Sequence, residues 1–391
     1  MKILLCWEMG AGYGHLASLR IAAKELVKRG HECLFAVADT HAARHILEPD
    51  LGRVFHAPQQ SRPGHQLPMQ FSHATILYNA GFNNPEELSR RIKHWSTMML
   101  NHHVDAVVAD YSPIALVAAR ALGLPRTVIG CGFDVPPLVE PFPAFPVFGS
   151  TIPETTLIHN EEAVCTLLNG ALVDLGFEPY EKLQHIYSGA KRALLTYAEM
   201  DHYEGRQGDE YLGLPDDDLV SEKPWPSKHA KRVFAYLRPH AHLDEMLAAL
   251  RDCDADVLLV ADQIEAHYLT PYLRPGLFMA TRLTNLRHRA QQCDAWLSYS
   301  PHGTSTEMLL AGKPGVVWPD TLERELVGRR LAQSGGVVVM GDADTGVDYA
   351  LSMALEEDSL REGADRFAQK YAAQDRSMIP ARLADIILSP R

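Results

Sequence analysis

Residues 7–20 read WEMGAGYGHLASLR, a glycine-rich turn joining an apolar run to a helical pattern. KILLCW at 2–7 reads as a buried strand. Residues 16–29 read as a helix with Leu16, Leu19, Ala23, Leu26 and Val27 on one face and Gly30 as its stop. HECLFAVA at 31–38 supplies a second strand. A β-α-β opening of this kind invites a dinucleotide-binding reading, which requires G-x-G-x-x-G. Here Gly10, Gly12 and Gly14 alternate, and His15 stands where the last glycine of a frame begun at Gly10 would fall. The nicotinamide reading lacks its third glycine and accounts for nothing further along the chain.

The alternation continues. VDAVVAD (104–110) reads as a strand, PIALVAARALG (113–123) as a helix and PRTVIG (125–130) as a strand. The polar, proline-bearing run GLPDDDLVSEKPWPSKH (213–229) reads as an interdomain linker. Beyond it follow RVFAYL (232–237), a helix near 243–252, ADVLLVA (255–261), DAWLSYS (294–300), a helix at about 305–312, GVVW (315–318) and a helical C-terminal stretch. Strands alternating with helices imply parallel sheets with ligands at their carboxyl ends. A chain of 391 residues exceeds the size at which a single core stops growing. The expectation is α/β: an N-terminal domain over 1–218 and a C-terminal domain over 229–391, facing one another across a cleft, with the last helical segment free to pack back on the first domain. Between 56 and 100 the alternation weakens. GFDVPPLVEPFPAFPVFG (132–149) is too rich in proline for regular structure and reads either as a packed surface loop or as a wall for an apolar ligand.

A formal charge of −12 argues against a nucleic-acid or anionic-membrane surface, while leaving room for a local basic cleft that takes a phosphate. Six cysteines without a C-x-x-C pair read as core residues of a reduced, cytoplasmic protein. The apolar start is too short for a signal sequence, and no run of about 18 apolar residues suggests a membrane span. His102, His103, His56, His65 and His73 lack zinc-motif spacing and read as surface or loop residues, so no metal is expected.

The opening stretch, taken with RGHECLF (29–35), resembles the amino-terminal signature of the UDP-glycosyltransferase-like enzymes, family 1 of the glycosyltransferases. CDAWLSYSPHGTSTEMLLAGKPGVVWPDTLERELVGRRLAQSGG (293–336) is similar, without gaps, to their donor-binding segment. DAVVADYSPIALVAARALGLPRTVIG (105–130) and GDEYLGLP (208–215) agree in the same order. The resemblance implies the GT-B fold of two Rossmann-like domains. It also implies that His15 removes the proton of an acceptor hydroxyl while Asp110 orients the imidazole. A helix N-terminus beside His15 favours the neutral ring. Asp110 reads equally as a cap for the helix near Pro113.

For the donor, the resemblance points to Gly14, Arg238, Tyr299, Ser300, His302, Gly303, Thr304, Ser305, Glu307, Glu323 and Arg324. Two positions depart from the family: its His-Gly-Gly is Tyr299-Ser300-Pro301 here, and its Asp-Gln is Glu323-Arg324. Arg238 either restores phosphate-binding charge or is a solvated loop residue. Thr304 and Glu307 either contact the nucleotide or form a capping box. Arg324 either reads an acceptor-rich or acidic sugar or pairs with Glu323 or Glu325 on the surface. Phe71, Tyr78, Phe82, Phe133, Phe142 and Phe145 are the expected acceptor wall.

The implied function is that of an inverting glycosyltransferase acting on a small, fairly apolar acceptor. Its co-substrate is a nucleotide diphosphate sugar, UDP- or dTDP-linked, and no cofactor is expected. A nucleotide-sugar hydrolase or epimerase of the same fold, or a noncatalytic nucleotide-sugar-binding partner protein, are the alternatives. A homodimer is left open.

Overall fold

A computed structural model describes residues 1–390 except 62–63, 149–150, 217–224, 226–230, 281–283 and 342–344. Two units are present: Met1–Pro215 together with Ser377–Arg391, and Asp216–Arg376. Most of the linker expected at 213–229 lies outside the described residues.

The first unit carries β1 (Lys2–Trp7), β2 (Glu32–Val37), β3 (Arg53–His56), β4 (Ala106–Asp110), β5 (Arg126–Gly130) and β6 (Lys191–Leu194). They form one sheet in the order β3-β2-β1-β4-β5-β6, every neighbouring pair parallel. Its helices are α1 (Gly14–Lys28), α2 (Thr40–Ile46), α3 (His73–Leu77), α4 (Pro85–Asn101), α5 (Pro113–Ala121) and α6 (Glu154–Asp174). The central strands are apolar without interruption because helices cover both faces of the sheet. The weakly patterned stretch at 56–100 holds α3, a π-helical turn over Tyr78–Phe82 and the long helix α4. Helix α4 starts where Asn84 accepts from the Glu87 amide at 3.2 Å and Pro85 pre-sets the first turn.

The second unit repeats the plan with β7 (Arg232–Leu237), β8 (Asp256–Ala261), β9 (Leu277–Met279), β10 (Ala295–Ser298), β11 (Gly315–Val317) and β12 (Val337–Val339), ordered β12-β11-β10-β7-β8-β9 and again all parallel. Its helices are α7 (Leu243–Asp252), α8 (Ala266–Leu269), α9 (Leu286–Gln292), α10 (His302–Leu310), α11 (Leu322–Ser334), α12 (Val347–Glu356) and α13 (Asp358–Tyr371). The terminal helix α14 (Ile379–Leu388) belongs to the first unit, so the second ends at Arg376 rather than at 391. Lys191 of β6 donates to the Ile387 carbonyl at 2.8 Å, and Arg29 pairs with Asp385 at 2.6 Å.

In each sheet the strand order reverses between the unit's first strand and its fourth, β1 beside β4 and β7 beside β10. The flanking connections depart in opposite directions there, which opens a crevice at the carboxyl ends of the two strands.

His73 is not a surface or loop residue. It begins α3 fully buried, with Nε2 at 2.7 Å from the Tyr187 hydroxyl and its ring edge-on to Phe142. Burial, helped by the nearby charge of Arg192, brings its pKa from 6.5 down to about 3. Between those values the unfolded chain binds the proton and the folded one does not, so stability is full above pH 6.5 and is lost as pH falls toward 3. The expected slope reaches about 1.4 kcal/mol per pH unit. Denaturant unfolding at a series of pH values should show this acid limb, and His73→Gln should flatten it. An unchanged slope in that variant would assign the acid loss to other groups.

Candidate active site

Strand β1 ends at Trp7, and the chain turns through Gly10 and Gly12 into α1, where His15 is the second residue. Strand β4, its neighbour at the order reversal, ends in Asp110. The two side chains meet: His15 Nδ1 lies 2.7 Å from Asp110 Oδ1, with Asp110 1% and His15 16% exposed. A carboxylate on Nδ1 holds the proton there and leaves Nε2 as the basic nitrogen. The imidazole stacks between Trp7, at 5.2 Å, and Tyr111, at 6.0 Å.

Gly10 explains the unusual turn. Its φ is +78°, and a Cβ there would stand 2.8 Å from His15 Nε2. The glycine is required by the imidazole rather than by a pyrophosphate. Gly14 opens α1, and a Cβ on it would meet nothing among the described residues within 4 Å.

The cap reading of Asp110 is corrected by Glu8. The Ile114 amide in the first turn of α5 donates to Glu8 Oε1 at 2.6 Å, and Trp95 Nε1 donates to Oε2 at 2.9 Å. Burial raises the Glu8 pKa, opposed by Arg91 at 3.5 Å and by these donors. With Glu8 serving α5, Asp110 is committed to His15.

Asp134, which the sequence reading passed over, stands in the loop after β5. One ring nitrogen of His15 and a carboxylate oxygen from each of Asp110 and Asp134 lie within 4.8 Å of one another. The signal was a carboxylate four residues past the end of a central strand, obscured by the prolines and aromatics that follow.

Three of the expected acceptor aromatics are core residues. Phe82, Phe142 and Phe145 are fully buried, so they shape the unit without offering it a wall. Phe133 is 5% exposed and meets Tyr111 edge-on at 5.9 Å, while Phe71 and Tyr78 are half-buried.

In the second unit, Arg238 follows β7 and Tyr299 follows β10 at the other order reversal. The Arg238 guanidinium lies 5.0 Å from the Tyr299 ring centre and that of Arg324 4.5 Å from it. Arg238 is thus packed on an aromatic ring rather than solvated. Asp320 pairs with Arg324 and lies 3.8 Å from Arg238. Burial raises the Tyr299 pKa against a hydrogen bond from Tyr236 and both arginines.

Helix α10 begins at His302, three residues earlier than expected, because Pro301 takes the extended N-cap conformation. The first intrahelical bond runs from the Ser305 amide to the Pro301 carbonyl at 3.0 Å, so the amides of His302, Gly303 and Thr304 precede the ladder. Ser300, at φ +67°, and Ser305 are fully buried, and their hydroxyls have no hydrogen-bond partner among the described residues. Thr304 lies inside the first turn, which rules out its capping box with Glu307. Glu307 binds Arg376 through two contacts, at 3.0 and 2.6 Å, and lines a cleft of about 360 Å³ with Arg287, Lys313 and Tyr371. Glu323 and Arg324 also sit inside a helix, the first turn of α11, rather than before it. The partner of Arg324 is Asp320, neither Glu323 nor Glu325.

Two doubly wound units of this kind define the GT-B fold, and comparison with solved structures shows that fold over nearly the whole chain. No family model and no curated relative matches the chain. It is similar to the glycosyltransferase VinC in complex with dTDP, at TM-score 0.68 and 17% identity over 99% of both chains. It is also similar to CalG4, the calicheamicin glycosyltransferase, at TM-score 0.69 and 16% identity over 100% of this chain and 99% of that one. SnogD from Streptomyces nogalater, a glycosyltransferase, matches at TM-score 0.64 and 19% identity over 99% of both. No helix among the described residues is long and apolar enough to cross a membrane.

Gly10→Ala and Gly12→Ala should separate backbone strain from crowding. Both glycines have positive φ, which costs an alanine about 1–2 kcal/mol, but a Cβ at Gly12 meets no atom of the described residues within 4 Å. Both variants should melt earlier, and only Gly10→Ala should displace the His15 ring signals in a nuclear magnetic resonance spectrum. Equal displacement in both would remove the steric link between Gly10 and His15.

Proposed function

We propose that the protein is an inverting glycosyltransferase that moves a sugar from a UDP- or dTDP-linked donor to a hydroxyl of a small, fairly apolar acceptor. The observation that carries this reading is the His15–Asp110 pair at the β1/β4 order reversal. His15 Nε2 takes the acceptor's hydroxyl proton as that oxygen forms its bond to the anomeric carbon. The bond from that carbon to the diphosphate breaks, and its electron pair leaves with the nucleoside diphosphate. One displacement at one carbon inverts its configuration. Asp110 stabilises the imidazolium without taking the proton itself.

The second unit offers the departing diphosphate the first-turn amides of α10 and the guanidinium of Arg238. These groups supply countercharge of the kind a metal ion brings to other transferases. The exposed side chains of Leu138 and Val139, on the loop after β5, suit an apolar acceptor. The fold shared with VinC, solved with dTDP, supports the choice of nucleotide.

Calorimetric screening of nucleoside diphosphates and their sugars, followed by mass spectrometry with candidate acceptors, tests the reading. His15→Ala should keep nucleotide affinity and lower turnover by about 10²–10⁴-fold, the range of a lost general base. Unchanged turnover would take His15 out of the mechanism. Arg238→Ala should weaken binding of the nucleoside diphosphate more than that of the nucleoside, and equal losses would assign Arg238 to loop shape alone.

A further inference from the structure

We propose that Asp134 is a second positioning residue for the His15 imidazole, sharing with Asp110 the positive charge that forms when the ring takes a proton. Its purpose rests on the transferase reading, whereas its electrostatics do not.

Three adjacent strands of one sheet deliver the three groups: β1 leads to His15, β4 ends in Asp110 and β5 leads to Asp134. Their ligand atoms fall within 4.8 Å of one another. Asp134 is only 5% exposed, so water screens it weakly. The loop is shaped around its carboxylate. The Cys131 amide donates to Oδ2 at 3.1 Å and the Cys131 thiol donates to the same oxygen at 2.9 Å. Gly130, at φ +140°, leaves no room for a side chain, since a Cβ there would stand 2.9 Å from both Asp134 Cβ and Oδ2.

Anchoring the loop requires only an acceptor, which an amide oxygen supplies as well as a carboxylate. A buried negative charge beside an imidazole does something an amide does not: it favours the protonated ring. Among the described residues, the groups that face His15 include the carboxylates of Asp110 and Asp134, the phenol of Tyr111, the indole of Trp7 and, behind Asp134, the thiol of Cys131. Two carboxylates near one ring make it a stronger base than Asp110 alone does. In the transfer step the proton still ends on Nε2, and Asp134 neither gains nor loses one.

Asp134→Asn keeps the anchor and removes the charge. The titration midpoint of His15, followed by nuclear magnetic resonance on the full chain, should fall by about one pH unit relative to the parent, as it should in Asp110→Asn. The exposed Asp174→Asn should leave it unmoved. With a working donor and acceptor, the acid limb of the kcat/KM profile should shift to lower pH by the same interval, and the plateau should drop about tenfold. An unshifted midpoint in a folded Asp134→Asn protein overturns the inference and leaves Asp134 as a loop anchor. A shifted midpoint in a protein that transfers no sugar upholds the inference and sinks the transferase reading. If the asparagine variant does not fold, Asp134→Ser is read in its place by the same criterion.

Discussion

A hydrogen bond of 2.7 Å joins His15 and Asp110, residues 95 apart in the chain, and much of the first unit is arranged so that it can form. It requires β1 and β4 to be neighbours, with the intervening strands laid out on the far side of β1. That arrangement makes β1 the place where the winding reverses, and two loops then diverge from adjacent strand ends. Each loop is fixed from below. Glu8 ties the end of β1 to the first turn of α5 and to Trp95 of α4, and the Met9 amide bonds the Tyr111 carbonyl at 3.2 Å across the two turns. An imidazole held this way is oriented before any ligand arrives.

The second unit uses the same reversal for the opposite charge. The chain is acidic overall, at −12, yet Arg238 and Arg324 both lie against the ring of Tyr299. The phenyl face attracts both guanidiniums and lets them approach a common region despite their repulsion. Asp320 offsets part of that charge. Burial also raises the pKa of Asp262, which Arg238 opposes. The two guanidiniums on the Tyr299 ring bring charge that no physiological pH removes.

The central strands were legible because each is buried on both faces and therefore reads as a short apolar run. The strands that escaped notice, β3, β6, β9 and β12, are the edges of the two sheets. They have three or four residues each and are partly exposed, too short for an alternation to show, and only the VVV of β12 carries a run of β-branched residues. His15 and Asp110 were legible for a related reason: each closes or follows a central strand. Asp134 follows one too, but an irregular loop carries no periodicity from which its direction could be inferred. The acceptor aromatics were misjudged because composition does not distinguish a wall from a core, and Phe82, Phe142 and Phe145 proved to be core.

Glu307 shows how a long-range partner changes the meaning of a motif. Four residues into its motif it looks free to bind a ribose or cap a helix, but Arg376, 69 residues away, claims its carboxylate. Arg376 also lies 3.1 Å from Asp216. Asp216 and Arg376 are the first and last residues of the second unit, so one arginine ties both ends of that unit to α10. The side chains of Arg376 and Glu307 are 11% and 6% exposed. Stranding one partner of so buried a pair costs about 3–5 kcal/mol, whereas a hydrogen bond to a charged group returns about 1.5–3 kcal/mol. Glu307 therefore keeps Arg376 as a partner and braces α10 against both ends of the second unit.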